Sequence, residues 1–111
     1  MKFILNKLLA WYGKFFSSRK PYILRLVDDL PQKLKPNIVY AIGTKDDLYV
    51  ARLLCPCGCN EHLNLNLIPA NRPCWTLQVG KKSEVSLHPS LWKKTGCKSH
   101  FFLKNGVVKW V

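Results

Sequence analysis

The chain has 111 residues, 48% of them apolar and 12% aromatic, which is enough for one folded domain and excludes a disordered tail. Eighteen lysines and arginines against six acids give a formal charge of +12, which favours acidic or polyanionic partners. No stretch approaches the roughly 18 uncharged apolar residues of a membrane span, and the apolar start is broken by Lys7 and Lys14 with no cleavage signal after it, so a reducing cytoplasm is the expected location.

Residues 1–20 form the first expected unit. Ile4, Leu8, Trp11 and Phe15 recur at helical spacing, widened by Leu5, Leu9, Tyr12 and Phe16. This segment carries five cations and no acid, a basic amphipathic helix suited to docking on the rest of the domain or on a partner groove. A membrane surface is not the expected partner.

Residues 21–111 read as a β domain. Tyr22–Val27, Ile38–Ile42 and Leu48–Leu54 have strand composition, separated by turn-rich stretches around Asp28-Asp29, Pro31, Pro36 and Thr44–Asp47. His62–Ile68 alternates apolar and polar residues with period two, so it is a half-buried strand with His62 on the exposed side. Trp75–Val79 and Val85–Leu87 are further strands, and Pro89–Lys94 is expected to make one helical turn. His100–Leu103 and Val107–Val111 flank Asn105-Gly106, a strong hairpin signal because both turn residues must take positive φ. The expected fold is mainly β, a small antiparallel domain organised around a zinc site, with an N-terminal helix.

Five cysteines are present, and three fall within five residues as Cys55-Pro56-Cys57-Gly58-Cys59. That spacing is poor for disulfides and, in a reducing compartment, points to metal. On a straight strand these thiols would stand roughly 6.6 Å apart. Two thiolates on one zinc, each at about 2.3 Å, need their sulfurs near about 4 Å. The backbone must bend, and Pro56 and Gly58 supply the means. The remaining ligands are expected from Cys97-Lys98-Ser99-His100. Five candidates, Cys55, Cys57, Cys59, Cys97 and His100, compete for four positions, and the spacing leaves open which cysteine is spare. Cys74, beside Pro73 and Trp75, is expected to be a small core residue.

If the zinc were catalytic it would keep one position open for water. Glu61, two residues past the cluster, is then the candidate general base, and Ser99 the candidate donor to an oxyanion. A metal-free alternative pairs Ser86, Ser90 or Ser99 as nucleophile with His88 or His100 as base.

The two cysteine motifs, followed or preceded by Glu61, Trp75, Ser86-Leu87-His88-Pro89-Ser90, Gly96-Cys97-Lys98-Ser99-His100-Phe101 and a closing hairpin ending in Trp110, resemble a bacterial family of small domains. Its members read CPCGC near the middle and CxSHF near the end, and the resemblance covers about residues 22–111. Asn60 stands where a second glycine is expected. Members are often encoded beside genes for ubiquitin-like conjugation. The resemblance implies a peptidase that processes or removes a ubiquitin-like modifier, with Cys55, Cys57, Cys59, Cys97 and His100 as the metal group and Glu61 and Ser99 beside it.

Two functions are therefore expected in competition. One is a zinc-dependent peptidase acting on a ubiquitin-like protein or its conjugates. The other is a non-catalytic structural-zinc module that binds nucleic acid or an acidic protein, motivated by the charge and by four tryptophans and four tyrosines. Four protein ligands would favour the second, and three plus water the first.

Overall fold

A computed structural model describes residues 20–44 and 46–111, and the helix expected over residues 2–16 lies outside them. The described residues form eight strands: β1 (Ile23–Leu26), β2 (Ile38–Thr44), β3 (Asp47–Leu54), β4 (His62–Asn66), β5 (Thr76–Val79), β6 (Val85–Trp92), β7 (His100–Lys104) and β8 (Val107–Trp110). They make two four-stranded sheets in simple sequence order, β1-β2-β3-β4 and β5-β6-β7-β8. Pairing is antiparallel throughout except for β1 with β2, which run parallel. The mainly β, largely antiparallel expectation holds.

Period-two alternation builds the core. Ala51 and Leu53 of β3 and Leu65 of β4 face inward from the first sheet. Val85, Leu87 and Leu91 of β6 and Phe101 and Leu103 of β7 face inward from the second, and all of these belong to one cluster. Val39, Ala51, Leu53 and Val85 are fully buried, the mark of a core shared by both sheets.

Two connections tie the sheets at one end. Tyr22 donates its N–H to the Gly106 carbonyl at 2.8 Å, Gly106 to Val85 at 2.7 Å, and Val85 to Tyr22 at 2.9 Å. A single bridge joins Ile23 to Glu84. The Asn105-Gly106 turn has φ of 50° and 79°, so the expected hairpin is present.

One element differs from expectation. A helical turn is expected over Pro89–Lys94, but Pro89–Trp92 continues β6. Leu87 pairs with Leu103 and Leu91 with Phe101, so His88, Pro89 and Ser90 oppose Phe102 alone. The proline sits in this bulge, where its missing N–H costs no ladder bond.

Candidate active site and thiol cluster

The inward pattern of β3 runs one step past its end. Ala51 and Leu53 face the core, and so does Cys55, which is 4% exposed. The chain then reverses: the Cys55 N–H bonds the Glu61 carbonyl at 2.9 Å, Gly58 takes φ 93° and Asn60 φ 63°. Asparagine tolerates the left-handed region, which is why it can stand where a second glycine was expected. The tight turn brings Cys57 and Cys59 back beside Cys55.

The inward pattern of β7 likewise extends one step before its start. Phe101 and Leu103 face the core, and Ser99 does too, 7% exposed. Its Oγ lies 3.2 Å from Cys97 Sγ and accepts from the Cys55 thiol at 3.5 Å. The loop is closed by the Lys93 N–H on the Ser99 carbonyl at 2.7 Å. Cys55 Sγ lies 3.4 Å from Cys57 Sγ and 3.6 Å from Cys97 Sγ.

Cys55, Cys57, Cys59 and Cys97 thus gather with all four sulfurs within 4.8 Å of one another, close enough to hold one metal ion. Their spacing suits a tetrahedral ion with sulfurs at about 2.3 Å. The thiols are electrostatically unlike. Burial pushes Cys55 up to about 12. Cys57, on the exposed rim, is drawn down to about 6, first by the Ser99 hydroxyl. Cys97 is lowered as well, again first by Ser99. An ion would take all four as thiolates.

His100 is the one expected ligand that the structure does not bring to this group. Alternation explains why: Ser99 faces inward to the sulfurs, so His100 faces outward. Its Nε2 lies 2.9 Å from Ser90 Oγ. Its ring stacks on Trp92, its register partner, with centroids 4.9 Å apart and planes 13° from parallel. Lys94 Nζ stands 5.2 Å from the Trp92 ring centre. Ser90 shares this outer face with His88 and Trp92, in the phase opposite to buried Leu87 and Leu91, and Trp75 Nε1 donates to the Ser90 carbonyl at 3.3 Å, holding the bulge.

The other candidates resolve by contact. Glu61 is ion-paired with Lys93, which raises the Lys93 ammonium above its ordinary range, and so links the two cysteine-bearing loops. Ser86 Oγ accepts the Asn105 N–H at 2.8 Å. Ser99 is buried against sulfur. Cys74 is half-buried, its Sγ 3.6 Å from the Trp75 carbonyl, outside the thiol group. His62 is exposed, as expected. Sequence reasoning named Ser90 and His100 among several metal-free pairings but gave no ground for choosing them. The missing signal was the register of β6 on β7, which sets Trp92 opposite His100 and Ser90 diagonal to it on the same outer face.

Among the described residues no helix is long and apolar enough to cross a membrane. No curated protein and no solved structure matches the chain. Residues 26–111 match the family model of BubE, described as a bacterial ubiquitination-like system serine protease. That description overturns the expectation of a zinc-dependent peptidase, since a serine protease attacks through a hydroxyl and not through metal-bound water. The role of Glu61 as a base on such water goes with it. The match covers well over half the chain, which therefore belongs to the BubE family.

Proposed function

We propose that this chain is a serine peptidase acting on a ubiquitin-like protein or its conjugates, with Ser90 as nucleophile and His100 as general base. The observation that carries the reading is the 2.9 Å contact between Ser90 Oγ and His100 Nε2 on the outer face of the second sheet. The family description supplies the reaction class and the system.

With His100 in the tautomer that leaves Nε2 unprotonated, Nε2 accepts the Ser90 hydroxyl proton while Oγ attacks the acyl carbon. The proton then passes from His100 to the leaving amine, the C–N bond breaks and an acyl-serine remains. Water, giving its proton to the same nitrogen, releases the acid. Trp92 holds the imidazole plane from one side by stacking.

The four thiols are proposed to hold zinc, since mixed burial and an all-sulfur tetrahedron suit that ion. Held by these four sulfurs, such an ion would crosslink the loop after β3 to the loop before β7. The four-thiol set agrees with the metal half of the binding-module alternative, and the serine-protease family speaks against its non-catalytic half.

The test is Ser90→Ala assayed on a ubiquitin-like protein carrying a C-terminal extension. Cleavage should fall by about a thousandfold or more. A fluorophosphonate should label the native chain at Ser90, read by peptide mass. Labelling at Ser99, or full activity in Ser90→Ala, would sink the assignment.

A further inference from the structure

The outer face of the second sheet holds more than the Ser90–His100 pair. A cavity of about 710 Å³ lies on it, lined in part by Thr76 and Gln78 of β5, His88 of β6, Phe102 and Lys104 of β7 and Lys109 of β8. His88 is two residues before Ser90 on one strand, and Phe102 two residues after His100 on the next. By alternation all of these side chains share the face of the catalytic pair. The groove therefore opens one side-chain step from His100, about 7 Å away along β7, with Ser90 beside that ring.

Its chemistry is one-sided. None of the four strands β5 to β8 contains an aspartate or glutamate. Glu61 is paired with Lys93, Glu84 accepts the Lys82 N–H at 3.2 Å, and the remaining acids, Asp28, Asp29, Asp46 and Asp47, lie in the first-sheet half of the sequence. Lys104 and Lys109 are exposed along one side of the groove, and Phe102, 43% exposed, forms an apolar step. A volume of this size accepts a few side chains of an extended chain.

We propose that this groove is the subsite for an acidic, extended segment of the protein substrate, with carboxylates on Lys104 and Lys109 and an apolar residue on Phe102. This rests on the Ser90–His100 reading for its role in catalysis. With Ser90 at the scissile carbonyl and a rise of about 3.3 Å per residue, the segment it grips begins about two residues from the cut bond. A single-stranded nucleic acid fits the groove less well, because successive bases need a row of stacking rings and the lining offers only the Phe102 ring and the His88 imidazole.

The full chain with Ser90→Ala serves for binding, so that no probe is consumed. The probes are a short peptide alternating Glu and Val, its Lys–Val counterpart, and an oligothymidylate, all measured by calorimetry. The Glu–Val peptide should bind and the Lys–Val peptide should not. Lys104→Glu with Lys109→Glu should lower affinity for the Glu–Val peptide about tenfold and confer binding of the Lys–Val peptide. Lys104→Gln with Lys109→Gln repeats the test with a milder change, and its loss should be smaller. Equal affinity for both peptides, no effect of either double variant, or binding of the oligothymidylate in place of the peptide would each overturn the subsite. If the charge swap behaves as stated while Ser90→Ala retains cleavage, the groove stands and the assignment of the nucleophile falls.

Discussion

Ser99 and His100 are neighbours in sequence with separate tasks. The Ser99 hydroxyl lies among sulfurs inside the molecule, and the His100 ring lies against Ser90 outside it. Substitutions should therefore separate metal from chemistry. His100→Ala should keep one metal per chain and lose about a thousandfold or more in cleavage. Cys97→Ser should lose the metal as well. Elemental analysis beside the cleavage assay decides it, and metal-free His100→Ala protein would return His100 to the ligand set. The sequence brought Cys55, Cys57 and Cys59 together through the bending residues between them and added Cys97 and His100, expecting one cysteine to be spare; the structure gathers all four cysteines and leaves out His100. The sequence alone did not separate His100 from them. A Cys-x-x-His spacing looks like one ligand pair until the strand phase is known, and that phase is fixed by Phe101 and Leu103 facing the core.

At the scale of elements, the final hairpin carries more than its own turn. Gly106 has φ 79°, and a Cβ there would lie 2.7 Å from Pro21 Cβ and 3.1 Å from the Tyr22 backbone. Its N–H and carbonyl serve Val85 and Tyr22, so the turn is also the joint between sheets. Gly106→Ala should cost about 2 kcal/mol or more, through the left-handed backbone and the clash together, seen as a lower denaturation midpoint at unchanged slope. An unchanged midpoint would mean that Pro21 simply moves aside. The hairpin itself was legible from Asn105-Gly106, and the alternating strand from His62. The β6 bulge was not: Pro89 in a polar–apolar run reads as a helix start, and only its partner strand reveals the three residues set against Phe102. The Leu87–Leu103 register alone would already set Ser90 opposite His100; the bulge moves Trp92 into that place and leaves Ser90 diagonal to the ring.

For the whole molecule, the thiol cluster joins the end of the first sheet to the start of β7 in the second, while the Gly106 joint links them elsewhere. Burial in a domain this small leaves modest net stability, so a metal crosslink is a large share of it. A chelator strong enough to strip the ion should lower Tm by at least about 10 °C and abolish cleavage, and added zinc should restore both. A chelated protein with unchanged Tm would show that the thiols play no structural part. Loss of activity alone would not distinguish this from catalytic metal, which is why the melting curve is the deciding measurement.

The order of ligands along the chain has a consequence for how the protein is made. Three thiols, at 55, 57 and 59, leave the ribosome before Ser90, and the fourth, at 97, leaves between Ser90 and His100. A growing chain therefore holds the proposed nucleophile, Ser90, before it holds either the fourth thiol or the proposed base, His100. The fourth ligand and the base then emerge only three residues apart. A nascent chain that has emerged only as far as residue 96 therefore lacks the fourth thiol and the proposed base together.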